Sequence, residues 1–252
     1  MAIPIFVINL DRHQDRLAHM RRELAGLAFE RFAAVDGAAI AETASNLTRF
    51  ELACLASHQE IWRRLLASAD DAAIVLEDDL HLTPGFGALA RDGIWVPTDA
   101  HAVKLDTYFQ KVLLGQARPA PGALTIARLY SRHQSSAAYV ITRKGATRYL
   151  KLTAEPTLPA DYALFPSNPR KLGLVIYQFL PAVALQDHLR PAEEGGHIFA
   201  TAMGGPAQKP RPGTVRRVAR EVGRLLGQIG ELGEAAYLKG AVGAKTTVVG
   251  VQ

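Results

Sequence analysis

The run Ala72-Ala-Ile-Val-Leu76 is apolar at odd and even positions alike and stops abruptly at three consecutive carboxylates, Glu77-Asp78-Asp79. Successive residues of a strand face opposite sides of a sheet, so an apolar run without alternation needs cover on both faces. That predicts a central strand of a layered α/β domain, with the acids at its carboxyl end. Other segments agree. Ile3 to Leu10 reads as a buried first strand, and Leu17, Met20, Leu24 and Leu27 recur at helical spacing after it. Phe32 to Gly37 reads as a short strand ending in an Asp-Gly turn. Thr48-Arg-Phe-Glu51 has the spacing of a capping box, opening a helix whose apolar face carries Leu52, Leu55, Trp62 and Leu66. Further strands are expected at Ala102 to Leu105, Ala137 to Thr142, Leu174 to Phe179 and Ala182 to Leu185, with a helix from Arg143 to Leu152. Strands alternating with helices predict an α/β fold, a mixed, mostly parallel central sheet flanked by helices.

A chain of 252 residues can bury a sizeable core, and its 48% hydrophobic and 21% charged content excludes a wholly disordered, collagen-like or coiled-coil protein. The single cysteine, Cys54, excludes an internal disulfide and a Cys-rich zinc site. No stretch reaches the roughly 20 apolar residues of a bilayer span. Ala2 to Ile8 lacks the preceding basic residue of a signal peptide, so a cytoplasmic protein is expected. The net charge of +5 is unevenly spread. From Lys209 onward eight basic residues stand against three acidic ones, which accounts for all of it. The rest of the chain is electrically balanced and gives no argument for a nucleic-acid partner.

The expected organisation is a main domain over residues 1–194, a Gly/Pro-rich linker over 195–212 and a tail over 213–252. In the tail Val215, Val218, Val222, Leu225, Ile229, Leu232 and Ala236 follow a three-four spacing, with Arg216, Arg217, Arg220 and Arg224 off that stripe. The pattern predicts a basic amphipathic helix, weakened by glycines. Such a helix docks on its own domain, pairs with another copy, or lies on an anionic membrane surface as a peripheral anchor.

Three adjacent carboxylates at a strand end are costly unless a cation compensates them. Residues i and i+2 of an extended segment point the same way, so Glu77 and Asp79 are set to share a hard divalent cation, Mn²⁺ or Mg²⁺. Ligands of open α/β sheets bind beyond the carboxyl ends of the strands, where this cluster lies. The competing reading is a solvated loop with helix-capping acids. Other chemistries fail on spacing. No Gly-rich fingerprint follows the first strand, no P-loop is present, and no Gly-x-Ser-x-Gly elbow exists. A receiver domain would need a phosphoacceptor Asp some forty to fifty residues beyond the cluster, yet Gln116 to Ala127 holds none.

Six segments together resemble glycosyltransferase family 25. In order they are Ile5-Phe-Val-Ile-Asn-Leu-Asp-Arg12 with Arg16, Phe32-Ala-Ala-Val-Asp-Gly37, Glu51-Leu-Ala-Cys-Leu-Ala-Ser-His58 with Trp62, Ile74-Val-Leu-Glu-Asp-Asp79, Ala138-Tyr-Val-Ile-Thr-Arg-Lys-Gly-Ala146, and Leu158-Pro-Ala-Asp161. The resemblance spans about residues 3–190 and leaves out the tail. It departs from the family pattern at Ala53 and at Ser135-Ser136-Ala137. What it implies is a GT-A-like fold and an inverting transfer of a hexose, galactose first, from a UDP-sugar to a cell-envelope glycan or glycolipid such as lipooligosaccharide. The alternative is a catalytically silent nucleotide-sugar-binding or membrane-surface scaffold.

The resemblance also suggests roles. Glu77 and Asp79 would hold the metal with His188, and Asp78 would orient them or meet the ribose. Asn9, Leu10 and Asp11 at the mouth of the first strand would hold the uridine, with Arg16 nearby and Asp36 assisting from the neighbouring turn. His58 would bond the donor or support the acids. Asp161 is the leading general base and Asp106 the second candidate. Cys54 is expected to pack.

Overall fold

The computed structural model describes residues 2–41, 46–192, 196–199 and 233–252. The elements that build the layers begin with β1 (Ile5–Asn9), α1 (Gln14–Glu23), β2 (Glu30–Ala33), α2 (Arg49–Ala67), β3 (Ala72–Glu77) and β4 (Leu80–Leu82). Next come α3 (Phe86–Arg91), β5 (Ala102–Lys104), β6 (Lys111–Leu114), β7 (Arg118–Pro119), β8 (Thr125–Leu129) and β9 (Ala138–Thr142). The remainder are α4 (Arg143–Leu152), α5 (Ala160–Leu164), β10 (Ile176–Leu180), β11 (Ala184–Gln186) and β12 (Lys245–Val248).

The main sheet has the order β12-β6-β8-β10-β5-β9-β3-β1-β2, with β7 on β8, and is mixed. β1, β2, β3, β5, β6, β7 and β10 run one way; β8, β9 and β12 run the other. Antiparallel β9 sits between β3 and β5, so the Ser135-Ser136 approach to β9 arrives beside the carboxyl end of β3, where Glu77 N–H bonds to Ala137 O at 2.8 Å. β4 and β11 form a separate ribbon that pairs Leu80 with Gln186, next to the acids.

Strand alternation assigns each side chain its layer. Ile5, Val7, Ile74 and Leu76 pack with Met20 of α1 and Phe86 and Leu89 of α3 on one face. Ala73 and Val75 pack with Leu55, Trp62 and Leu65 of α2 and Ala146 and Tyr149 of α4 on the other. β3 is therefore covered twice, as its composition required. The same alternation carries Asn9 and Asp78 to the α1 side and Glu77 to the α2 side.

Local signals behave as expected. Thr48 and Glu51 close a capping box at the start of α2. At its other end the Arg143 guanidinium donates to Leu65 O at 2.8 Å and Leu66 O at 3.0 Å, satisfying carbonyls with no partner inside the helix. Gly145 opens α4 so close to the chain that an added Cβ would lie 1.9 Å from His101 O. Only glycine allows that approach.

The C-terminus departs from the expected helical tail. Residues 233–242 are helical, but β12 adds an edge strand antiparallel to β6, and Val249 is fully buried. Thr246, Thr247, Val248 and Val249 are four β-branched residues in a row, a strand signal at the end of a segment read as helix. Val215, Val218, Val222, Leu225, Ile229 and Leu232, with the four arginines, lie outside the described residues, as does most of the 195–212 linker. Among the described residues no helix is long and apolar enough to cross a membrane.

Candidate active site

A cleft of about 540 Å³ opens at the carboxyl ends of β1 and β3. Its wall brings together Leu10, Arg16, His58, Glu77, Asp78, Asp79, Asp161 and His188. These come from segments up to 178 positions apart in the chain.

Asp78 is the anchor of the acid triplet. Asn9 Nδ2 donates to its Oδ2 at 2.7 Å, and Arg16, itself buried, donates to its Oδ1 at 3.0 Å. The same guanidinium lies 3.9 Å from Asp79. Glu77 and Asp79 share the amide of Gln186, which donates to each at 3.5 Å. Burial pushes Asp79 up to about 7, with Glu77 the next cause, against the pull of Arg16. Burial acts on Glu77 the same way, yet His58, the Ser136 hydroxyl and Lys104 hold it below the usual carboxylate range. Two carboxylates that resist ionising together are a donor set suited to a hard cation.

His58 belongs to a buried relay. Trp62 Nε1 donates to the Tyr139 hydroxyl at 2.9 Å, and that hydroxyl lies 2.9 Å from His58 Nδ1. The Glu77 carboxylate on the other side of the ring only accepts, so Nδ1 accepts from the Tyr139 hydroxyl and the ring hydrogen is on Nε2. That nitrogen is buried, 3.7 Å from Glu77 Oε1, with no hydrogen-bond partner among the described residues. Cys54, one turn before His58, lines the cleft, and burial pushes its thiol well up, which keeps it from acting as a thiolate.

Asp161 sits in the first turn of α5 and lines the cleft. Burial raises its carboxyl, while the backbone amides of Tyr162 and Ser135 work in the opposite direction.

Four expected site residues lie elsewhere. Asn9 is buried behind the wall, and its side chain is used up by Asp78, His13 O and Arg31. Asp11 is exposed and paired with Arg31. Asp36 caps the turn at Gly37 and pairs with Arg12; Gly37, not Asp36, reaches the cleft. Asp106 is fully buried beneath the floor, 2.7 Å from Lys104 Nζ, so it cannot meet an acceptor hydroxyl. It accepts instead from Ser135 Oγ. His188 does line the cleft, with its ring against Tyr108 at 5.9 Å between centroids. Among the described residues the sets of three with ligand atoms within 4.8 Å of one another are Cys54, His58 and Glu77, and His19, Glu23 and His81. Glu77, Asp79 and His188 do not form such a set, because the short helical turn Asp187–Leu189 holds His188 toward Tyr108.

The structure adds Ser135, Ser136, Gln186, Tyr108 and Tyr162 to the wall. Gln186 had a sequence signal, as the first polar residue after the Ala182 to Leu185 strand. The serines had one as well, since they precede a buried strand antiparallel to β3, but that direction is not visible in a single sequence.

The model of glycosyltransferase family 25 (LPS biosynthesis protein) matches residues 2–164. The lacto-N-neotetraose biosynthesis glycosyltransferase LgtB of Neisseria gonorrhoeae is 28% identical over 204 residues, covering 72% of this chain and 73% of that protein. LgtE of the same organism is 26% identical, again over 72% of this chain and 73% of its own. The lipooligosaccharide biosynthesis protein lex-1 of Haemophilus influenzae is 24% identical, covering 58% of this chain and 52% of that protein. A solved glycosyltransferase involved in glycosylation of the major capsid of PBCV-1 is similar over 77% of this chain and 97% of its own, at 9% identity and a TM-score of 0.36. With the family model spanning most of the chain, this protein belongs to glycosyltransferase family 25.

Proposed function

We propose that the protein transfers a hexose, galactose first among candidates, from a UDP-sugar to a cell-envelope glycan of the lipooligosaccharide type, with inversion at the anomeric carbon. The observation that carries this reading is the pairing of Glu77 with Asp79 across Gln186, in a cleft that Asp161 also lines. The names of LgtB and lex-1 support the envelope-glycan acceptor.

In this reading Glu77 and Asp79 hold Mn²⁺ or Mg²⁺. Such an ion, when bound, supplies positive charge to the departing diphosphate. His58 Nε2–H from the α2 side and Arg16 from the α1 side add donors to the same cleft, and Leu10 gives the uracil an apolar wall. Asp161 takes the proton of the acceptor hydroxyl as that oxygen bonds to the anomeric carbon. The bond from that carbon to the phosphate oxygen breaks in the same displacement, and UDP leaves with the electron pair. A carboxylate raised by burial is a stronger base than an exposed one, which suits this step. Asp106 supports the serine loop and takes no proton.

The basic stretch between Lys209 and Arg224 fits an attraction to anionic headgroups at the inner face of the membrane. Co-sedimentation with anionic vesicles at low salt should weaken when Arg216, Arg217, Arg220 and Arg224 become Gln; unchanged sedimentation removes the membrane role.

The experiment for the main reading is UDP release from a panel of UDP-sugars with a truncated envelope-glycan acceptor, with and without Mn²⁺. Acceptor-dependent release from one UDP-hexose supports it. Tight UDP binding with no release across the panel supports the silent scaffold instead.

A further inference from the structure

Behind the cleft, on the α1 face, lies a second cluster that the proposed reaction does not use. His19 and Glu23 stand one turn apart on α1, and His81 comes from β4, two residues after Asp79. One potential ligand atom from each lies within 4.8 Å of the other two.

In each histidine Nε2 is committed to an acceptor, and in His19 that nitrogen also lies 3.9 Å from Glu23 Oε1. His19 Nε2 lies 2.8 Å from the Leu80 carbonyl, which only accepts, so that nitrogen carries the hydrogen. His81 Nε2 lies 2.9 Å from the Asp187 carboxylate, so it does the same. In the neutral form of each ring this leaves the lone pair on Nδ1. An imidazole that donates one N–H to a carbonyl or carboxylate and offers the other nitrogen is the usual arrangement around a bound transition ion. The supporting layer is itself tied down. Asp187 accepts from the amides of Ile198 and Phe199, each at 2.9 Å. The Phe199 ring closes over the cluster, edge-on to His19 at 5.2 Å and beneath Arg16 at 5.2 Å.

We propose that His19, Glu23 and His81 form a binding site for a borderline divalent transition ion of the Zn²⁺ class, with a water as fourth ligand. Two imidazoles and a carboxylate are a known three-residue zinc set, and imidazole nitrogen favours such ions over Mg²⁺ or Mn²⁺. Zn–N bonds of about 2.0 Å put tetrahedral ligand atoms ~3.4 Å apart, so the three side chains draw together on binding. Glu23, partly exposed at the end of α1, accepts from the Leu82 N–H through Oε2 at 2.6 Å, which leaves Oε1 for the ion. The bound ion would clamp α1, which carries Arg16, to the strand that begins beside Asp79 and, through Asp187, to the turn bearing His188. It would steady the acid triplet from behind without touching donor or acceptor. Loss of activity in a chelator would then not by itself assign an ion to Glu77 and Asp79.

The test uses the full chain, stripped of metal and titrated with Zn²⁺ by equilibrium dialysis. The expected result is about one equivalent bound and a Tm raised by roughly 5 °C at saturating Zn²⁺. Binding should survive in Asp79→Asn and weaken at least ~100-fold in His81→Gln and Glu23→Gln. His81→Gln keeps a donor for Asp187, so the fold has a route to survive the change. A second measurement needs no variant. The Co²⁺-loaded wild type should show the intense visible bands of a four-coordinate nitrogen and oxygen site. Weak six-coordinate bands, a thiolate-to-metal band that puts the ion at Cys54, no Zn²⁺ binding, or equal affinity in His81→Gln and wild type would each overturn the proposal.

Discussion

Asn9, at the tip of the first strand, donates to Asp78 at 2.7 Å across 69 positions of sequence. This bond turns the middle acid of the triplet toward the α1 layer and joins β1 to the carboxyl end of β3. Glu77 and Asp79 are left to share Gln186 at the cleft. A buried hydrogen bond to a charged acceptor contributes about 1.5–3 kcal/mol, and Asn9→Ala should lose that much in urea unfolding. A loss below ~0.5 kcal/mol would show that Asp78 is held by Arg16 alone.

Asp79 lies at the opposite extreme. Its carboxyl is pushed up to about 7 by burial and by Glu77, so removing its charge relieves the fold. Asp79→Asn should leave Tm at about pH 8 unchanged or higher, while kcat/KM for sugar transfer falls at least ~100-fold. Scanning calorimetry and a transfer assay on one preparation check both halves.

His133 makes the fold sensitive to acid. Its Nε2 accepts from the Tyr108 backbone N–H at 3.1 Å, so the proton sits on Nδ1, which donates to Gln178 Oε1 at 2.7 Å. Burial, with Lys104 the next cause, holds the ring down to about 3 against an ordinary 6.5. Between those values the unfolded chain binds the proton and the folded chain refuses it. The stability from the neutral ring is complete above 6.5 and declines as pH falls toward about 3, by up to ~1.4 kcal/mol per pH unit. The raised Asp79 carboxyl gains stability over the same range, so His133 is read by comparison: from about pH 7.5 down to about 5, urea midpoints should fall more steeply, or rise less, in the wild type than in His133→Gln.

Lys104 and Asp106 form an ion pair with no exposed surface, and Lys104 Nζ also donates to Ser135 O at 2.6 Å. Removing one partner strands the other charge in the core. Lys104→Met should cost about 3–5 kcal/mol, whereas Lys104→Met with Asp106→Asn should recover part of it. Equal destabilisation in single and double variants would contradict the pairing.

The C-terminal residues should be needed for stability. Ala182 N–H bonds to Gly250 O at 2.8 Å, Thr107 Oγ1 to Val249 O at 2.7 Å, and Gln252 N–H back to Ala182 O at 3.0 Å. Deleting residues 244–252 uncovers the edge of β6 and the buried Val249 position. The truncated chain should lose several degrees of Tm and aggregate on light scattering.

The sequence disclosed the layers better than the site. β3 was legible because a run apolar on both parities has few other homes, and α2 because Thr48 and Glu51 mark its first turn. The hairpin of β6, β7 and β8 was not, since Lys111 to Pro119 is short, partly polar and stabilised by pairing rather than by local pattern. Glu77, Asp79, Arg16, His58 and Asp161 converge on the cleft because they follow strands or face it from helices. Asn9, Asp11, Asp36 and Asp106 follow strands too, yet which side chain turns inward is set by strand parity and by a partner such as Arg31 or Lys104 that only the folded chain supplies. β12 was hidden because its ladder partner lies more than a hundred positions earlier.

The central claim is that Glu77, Asp79 and Asp161 together drive sugar transfer. The most direct test follows transfer from the preferred UDP-hexose to an envelope-glycan acceptor by wild type, Asp79→Asn, Asp161→Asn and, as a surface control, Asp11→Asn. The account predicts losses of at least ~100-fold in kcat for the two cleft variants and wild-type turnover for Asp11→Asn. Wild-type rates in Asp79→Asn and Asp161→Asn would contradict it.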